Sequence, residues 1–375
     1  MKKRHPVPLR YQTGGIDRQL AVAVTALIVF GVVMVFNTSI VDAARTFGDQ
    51  FYFGKRQLLW AGIGFLGMIV LSKTPYPLFA KLALPFFLLT TVLLILALIP
   101  GFGASALGAT RRINIGPFGF QPAELAKLSM VVFLATILSK RKHPAYFLIS
   151  VALVLLLVIL EPDLGTTGII GAIAILVYFA SGAPIWHFIL LIPVALAGVA
   201  TLALSSSYRK ERVLTFFNPD IDPLGTSYHI RQILIALGSG GIFGVGLGQS
   251  RQKYLFLPEP MTDSIFAIIG EELGLLGTVG VLGVFVFLIW RGFLIARRTP
   301  DPFGRLLAVG ITSWIGVQAF VNLAAMVALL PLTGVPLPFV SYGGSSLVVG
   351  LLGIGILLSI SRQKRSLTSY QRNEI

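Results

Sequence analysis

The chain contains no cysteine. Disulfides, thiolate metal sites and cysteine nucleophiles are therefore excluded. Histidine is almost as scarce: His5, His143, His187 and His229 lie far apart, which argues against a histidine-built metal centre. Charge is thin too. Asp, Glu, Lys and Arg make up 12% of the 375 residues, about half their share in an average soluble domain. No internal repeat is visible by eye, which disfavours the inverted-repeat transporters. The richest glycine run, Gly238 to Gly248, has no Gly-Lys-Ser/Thr behind it and no strand-like segment before it, so it is a turn-rich loop and not a nucleotide-phosphate loop.

Apolar sequence takes the place of charge. The chain is 55% hydrophobic with a mean hydropathy of +0.85, the composition of a polytopic membrane protein. Apolar segments at about 20–38, 57–72, 79–99, 123–139, 146–160, 165–181, 185–205, 264–290, 305–330 and 343–361 give ten candidate spans, several near the ~20 residues a crossing needs. The expected fold class is all-α, with ten transmembrane helices in one membrane domain over 19–361. Residues 206–263 form its single long loop, between helices 7 and 8, and residues 1–18 and 362–375 are polar tails. No small-residue cleavage site follows the basic leader, which reads as a retained tail.

The net charge of +15 is mostly an orientation signal and not a nucleic-acid surface. Placing the N-terminus in the cytoplasm puts seventeen Lys and Arg on the inner side and five in the short outer loops. The same threading leaves twelve of the fifteen acids on the outer side. Acids do not set orientation, so their excess points to chemistry or cation handling on the outer face.

The acids concentrate in one stretch, 247–277, which holds Glu259, Asp263, Glu271 and Glu272. Its first half is polar and basic, with Arg251, Lys253 and Tyr254, and Pro258 and Pro260 forbid helix there. An apolar helix begins after Asp263, either capped by that carboxylate or leaving it free for chemistry. Ala267, Gly270, Gly274 and Gly277 fall within about 40° of Asp263 on a straight helix; they form either a close-packing strip or a groove for a lipid tail. Glu272 falls on the opposite face and is expected to matter less.

Other outer segments add polar groups. Residues 100–122 are glycine-rich and carry Arg111, Arg112 and Asn114. Gln121, Glu124 and Lys127 follow at spacings of three, so neighbours share a helix face, as a structural ion pair or as the lining of a polar cavity. Asp163, in Glu-Pro-Asp-Leu-Gly-Thr-Thr, suits a helix N-cap. Residues 208–212 hold Arg209, Lys210 and Arg212, and 228–237 reads as an interfacial helix. The Pro- and Gly-rich 331–346 is apolar enough to dip into the membrane against protein. Cations suit phosphate and apolar grooves suit a lipid tail; a lipid-linked phosphate substrate and an ion-coupled transporter both fit these residues.

Four motifs carry a resemblance over nearly the whole chain: GPFGFQPAELAKL (116–128), EPDLGTT (161–167), GLGQSRQKYLFLPEPMTDSIFAIIGEELG (246–274) and TGVPLPFVSYGGSS (333–346). With them the chain resembles the SEDS family, the FtsW, RodA and SpoVE proteins of bacterial wall synthesis, and is closer to the FtsW and SpoVE branch. The resemblance implies a peptidoglycan glycosyltransferase of the bacterial cytoplasmic membrane that polymerises lipid II on its outer face, with undecaprenyl pyrophosphate as leaving group. It places the family's catalytic aspartate on Asp263, as general base. It implies a substrate-binding set of Arg111, Arg112, Gln121, Glu124, Lys127, Arg209, Lys210, Arg251, Lys253, Ser341, Gly343 and Gly344. A divalent cation, Mg or Mn, suits a pyrophosphate, and the sequence offers no defined ligand set for it. Implied partners are the undecaprenyl-linked glycan, a class B penicillin-binding transpeptidase and divisome or elongasome proteins. A lipid II flippase and a scaffold for the transpeptidase are the competing roles.

The charge count makes one prediction directly. A topology reporter fused after Ile375 should be active only in the cytoplasm; activity confined to the outer side would overturn the orientation.

Overall fold

The computed structural model describes residues 11–100, 103–106, 109–115, 118–140, 143–204, 216, 227–254 and 256–365. The chain is mostly helical: α1 (Arg18–Phe47), α2 (Tyr52–Lys73), α3 (Pro77–Leu98), α4 (Pro122–Ser139), α5 (Pro144–Leu160), α6 (Leu164–Ala180), α7 (Ile185–Leu204), α8 (Tyr228–Ser239), α9 (Ile265–Arg298), α10 (Pro302–Met326) and α11 (Gly344–Ser361). Among the described residues, α1, α3, α4, α9, α10 and α11 are long and apolar enough to cross a membrane, and α5, α6 and Ile185–Gly198 of α7 are shorter apolar helices.

The fold is not purely helical. The outer segment read as a glycine-rich loop is a three-stranded antiparallel meander, β2 (Gly103–Ala106), β3 (Ala109–Ile115) and β4 (Phe118–Phe120). Its register pairs Ala104 with Arg112 and Asn114 with Gly119. Exposure alternates along β3, with Arg112 and Asn114 outward and Arg111 and Ile113 half-buried, the period-two pattern of a strand. A further two-stranded ladder joins β1 (Tyr11–Thr13) to β5 (Gln363–Arg365).

α4 is the innermost helix. Its apolar stretch is 78% buried inside the protein, against 22% for α9, so α4 can carry ionisable groups while α9 turns side chains outward. Small residues let the helices approach closely. A Cβ on Gly31 of α1 would lie 2.4 Å from the Phe339 carbonyl, and one on Gly355 of α11 would lie 2.7 Å from that of Met68 in α2. The first contact seats residues 335–340 in the interior, where Val335, Leu337, Phe339 and Val340 are buried.

α9 is broken. Gly274 has φ 65° and ψ −161°, outside the helical region. The break receives the glycine run that follows α8. Val245 and Gly246 donate to the carbonyls of Glu271 and Glu272 at 2.9 and 3.0 Å, while Leu275 and Leu276 donate to Gly241 and Ile242 at 2.9 and 3.2 Å. Glycine is needed because backbone meets backbone: a Cβ on Gly240 would lie 1.9 Å from the Gly270 oxygen, and one on Gly244 2.1 Å from that of Glu272. The small-residue strip of α9 is thus a seat for this loop, and the close-packing alternative holds for Gly270 and Gly274.

Gly244→Ala should therefore disrupt the protein. It adds a Cβ against a carbonyl at φ +81°, and overpacking of this kind costs about 1–3 kcal/mol before backbone strain is added. Gly283, whose added Cβ meets nothing within 4 Å, is the control. Thermal unfolding in detergent should show a clear loss for Gly244→Ala and little for Gly283→Ala; equal melting of the two would refute the interlock.

Candidate functional site

The four motif segments meet at one end of the bundle. α4 begins after Gln121, whose backbone N–H donates to Ser345 Oγ at 3.1 Å and whose Nε2 donates to Asp163 Oδ2 at 3.3 Å. Asp163 caps α6: its Oδ1 accepts from Thr166 N and its Oδ2 from Thr166 Oγ1, both at 2.9 Å. Just inside that cap, Gly165 lies under the 333–335 segment, where a Cβ would sit 2.9 Å from the Thr333 oxygen. Gly334 in turn borders Asp263: a Cβ there would lie 3.9 Å from Asp263 Oδ2, and φ is +68°. A side chain at 334 would be strained and would crowd the carboxylate.

Asp263 stands one residue before the N-cap position. α9 starts at Ile265, with Ser264 in the N-cap position, because the turn Glu259–Ser264 closes by Ser264 N donating to the Glu259 oxygen at 3.3 Å. Asp263 is 8% exposed. Its backbone carbonyl accepts from Asn322 Nδ2 at 2.8 Å, and the same amide nitrogen donates to the Val335 carbonyl at 2.8 Å. Met261 O accepts from Tyr342 N at 2.8 Å. One buried Asn in α10 and one backbone bond thus clamp the aspartate turn to the 331–343 segment.

Cations surround this point unequally. Tyr342 is half-buried in edge-to-face contact with Phe53, ring centroids 5.2 Å apart. Burial lifts its hydroxyl above the usual tyrosine range, and the nearby charges of Arg56 and Arg112 oppose that rise. Arg56 lies over the Tyr52 ring at 5.1 Å and donates to its hydroxyl at 2.8 Å. Arg112 is exposed on β3. Arg111 is committed to backbone: its Nε donates to the Glu161 carbonyl at 2.8 Å and a terminal nitrogen donates to that of Pro162. Arg209 and Lys210, with Arg212, lie outside the described residues.

Two lysines from the implied binding set are enclosed. Lys127, 1% exposed, donates to Glu124 and to Gln318 Oε1, each at 2.8 Å, and lies 5.7 Å from the Trp314 ring centroid. Gln318 Nε2 then reaches the Pro336 carbonyl at 3.0 Å, so the pair is wired to the 331–343 segment. Lys253 donates to Asn37 Oδ1 at 2.8 Å, the Gly248 carbonyl at 2.6 Å and Glu272 Oε1 at 3.2 Å. An ammonium has three donors, so Lys253 is saturated and holds its loop, leaving no donor for a ligand. Arg251 is exposed, and its backbone N–H donates to Glu271 Oε1 at 2.9 Å. Glu272, placed on the far face of α9, is fully buried and accepts from Asn37, Ser250 and Lys253.

Ser341, Gly343 and Gly344 shape the entry to α11. Ser341 Oγ accepts from Leu337 N at 2.8 Å, its carbonyl accepts from Gln57 Nε2 at 3.2 Å, and Gly344 leaves room for Trp60, which a Cβ would meet at 2.6 Å. Arg56, Gln57, Asn322 and Tyr342 were not singled out from sequence. Arg56 was visible there only as one more outer cation, and Gln57 and Asn322 only as isolated polar residues in apolar segments. Among the described residues, no group of three or more His, Asp or Glu side chains could hold a metal ion; both Asp163 oxygens are already engaged by Thr166.

Comparison with known proteins covers nearly the whole chain. A family described as cell cycle protein, that of FtsW, RodA and SpoVE, matches residues 18–366. Stage V sporulation protein E of Bacillus subtilis is 42% identical over 359 residues, covering 93% of this chain and 98% of its own. The probable peptidoglycan glycosyltransferase FtsW of Geobacter metallireducens is 40% identical over 357 residues, covering 93% and 95%. Among solved structures, the rod shape determining protein RodA of Thermus thermophilus superposes with a TM-score of 0.69 at 30% identity, covering 92% of this chain and 97% of its own. A chain from a peptidoglycan synthase complex, described as coordinating polymerization and crosslinking, gives a TM-score of 0.75 at 30% identity, covering 92% and 98%.

One group at the rim makes a pH prediction. Glu161 is fully buried, and neither carboxyl oxygen has a hydrogen-bond partner among the described residues. Burial, and then the charge of Asp163, push its pKa from 4.5 up to about 8, with Arg111 opposing. Between those values the folded protein keeps a proton that the unfolded chain releases, so stability falls as pH rises through that window. Glu161→Gln cannot ionise and should flatten this dependence, melting later than the parent at pH 8 and close to it at pH 4.5. Melting curves that fall in parallel for both proteins would exclude this role.

Proposed function

Because the chain belongs to the FtsW, RodA and SpoVE family of cell cycle proteins, we propose that it is a peptidoglycan glycosyltransferase that polymerises lipid II on the outer face of the cytoplasmic membrane. The observation that carries this reading is the placement of Asp263, a nearly buried carboxylate just before the start of α9, held where four separate segments meet. In this reading the 4-hydroxyl of an incoming lipid II attacks the anomeric carbon of the growing glycan. Asp263 takes the hydroxyl proton, the β-1,4 bond forms, and undecaprenyl pyrophosphate leaves with the electron pair of the broken bond.

The leaving group is a concentrated anion at a membrane boundary, and its neutralisation is worth most where water is scarce. Arg56 and Arg112, whose charges both act on Tyr342, are the cations we assign to it; Arg209 and Lys210 extend this set by sequence alone. Lys127 acts from below, keeping Glu124 neutralised and Gln318 aimed at the 331–343 segment. Ten apolar helices, α1–α7 and α9–α11, are the spans of this reading, with both termini inside and 206–263 outside. A divalent cation would serve the same pyrophosphate as the arginines do, and no step here is routed through one. The similarity to a chain from a complex that polymerises and crosslinks peptidoglycan supports a class B penicillin-binding transpeptidase as partner.

Purified protein with fluorescent lipid II, in detergent, tests this reading with and without the transpeptidase. A ladder of glycan polymer is expected, at least with the partner. Transfer of lipid II between leaflets of a vesicle with no polymer under either condition would establish a transporter; neither activity would leave the scaffold.

A further inference from the structure

Between Arg231 and Arg251 the outer loop carries no charged residue. At the tip of this uncharged run Phe243 is 79% exposed, and Ile242, Val245 and Leu247 beside it are exposed as well. Such a cluster would be unfavourable in water. It is not isolated. Leu275 and Leu276, which donate to the Gly241 and Ile242 carbonyls, are exposed, and so are Val279, Leu282 and Val286 further along α9. The loop therefore continues the outward apolar face of a helix long enough to span a membrane.

The height of the loop fits. Asp17 and Arg291 form an ion pair at the basic end of the bundle. From that level, at about 1.5 Å per residue, α1 climbs roughly 30 Å to Asn37 and α9 roughly 25 Å to Gly274, close to the ~30 Å of a hydrocarbon core. Asn37 holds Lys253, and Gly274 seats the glycine run, so both routes put the loop at the outer boundary of the hydrocarbon. Irregular backbone is normally barred from lipid because its polar groups go unpaired. Here that objection is largely met: Val245 and Gly246 donate to α9, Gly241 and Ile242 accept from it, and Gly244 donates to the Gly240 carbonyl within the loop.

We propose that residues 240–248 form a membrane foot whose side chains, Phe243 foremost, sit among lipid acyl chains at the outer boundary of the bilayer. The partner is bulk lipid. The foot anchors the turn leading to Asp263 against the membrane surface, as interfacial apolar side chains anchor other proteins. This inference uses the membrane fold only and does not depend on the chemistry assigned to Asp263.

The absence of cysteine makes the test clean. Phe243→Cys and, separately, Leu247→Cys each give one labelling site in the full chain; Lys55→Cys, at a side chain 64% exposed in an ion pair with Asp49, is the water-facing control. Each is spin-labelled and reconstituted in phospholipid vesicles, and relaxation by oxygen is compared with relaxation by a water-soluble nickel complex. Labels at 243 and 247 should show an oxygen-to-nickel accessibility ratio severalfold above that at 55. A ratio equal to the control would place the loop in water. Exclusion of both reagents would show that protein, either another segment or a second copy, covers it. Either result overturns the proposal.

Discussion

A polypeptide in a membrane cannot leave peptide groups unpaired, and α9 breaks at Gly274, nine residues after its first residue, Ile265. The two carbonyls before the break and the two amides after it take their partners from the glycine run at 241–246. That exchange decides much of what surrounds the site. It fixes the loop after α8 against α9, and it requires glycine at 240, 244 and 274, where added Cβ atoms would meet backbone at 1.9, 2.1 and 2.4 Å. It also brings Glu271 and Glu272 beneath Ser250, Arg251 and Gln252, whose backbone N–H groups they accept. The stretch from Ser250 to Asp263 is held at both ends, by these carboxylates and by Asn322.

The buried ion pairs are better understood as devices of geometry than of stability. Lys253–Glu272 and Lys127–Glu124 are enclosed, and a buried pair returns little net energy because both charges are dehydrated. Removing one partner is different: it leaves a bare charge and costs about 3–5 kcal/mol. Each pair therefore tolerates only one arrangement. Lys253–Glu272 sets the loop against α1 through Asn37, and Lys127–Glu124 sets α4 against α10 through Gln318.

Much of this was legible in the sequence where chemistry is local. The helix expected after Asp263 starts within two residues of that point, and Asp163 was readable as a cap. Contacts between distant segments were not legible. Asn322 sits in an apolar helix where one polar residue has no pattern to announce it, and Arg56 was only one outer cation among several. Lys253 is a cation in a basic loop, and only its three-dimensional neighbours show that its donors are spent. The helical projection set Glu272 opposite Asp263; what it lacked was α1, whose Asn37 donates to Glu272. The meander at 103–120 was hidden by its glycines, which read as loop until the alternation along β3 is seen in register.

In the proposed reaction the placement of Asp263 gives these parts one purpose, to present a carboxylate that would accept a proton as the glycosidic bond forms. Comparing purified Asp263→Asn with the parent, at saturating lipid II, tests this most directly. Asn is nearly isosteric, and Ser264 already occupies the N-cap position, so the fold should survive; removing a general base typically costs about 10²–10⁴-fold in rate. A variant that melts like the parent and polymerises at least about 10²-fold more slowly is the predicted result. Polymerisation within a few-fold of the parent would show that Asp263 is not the base.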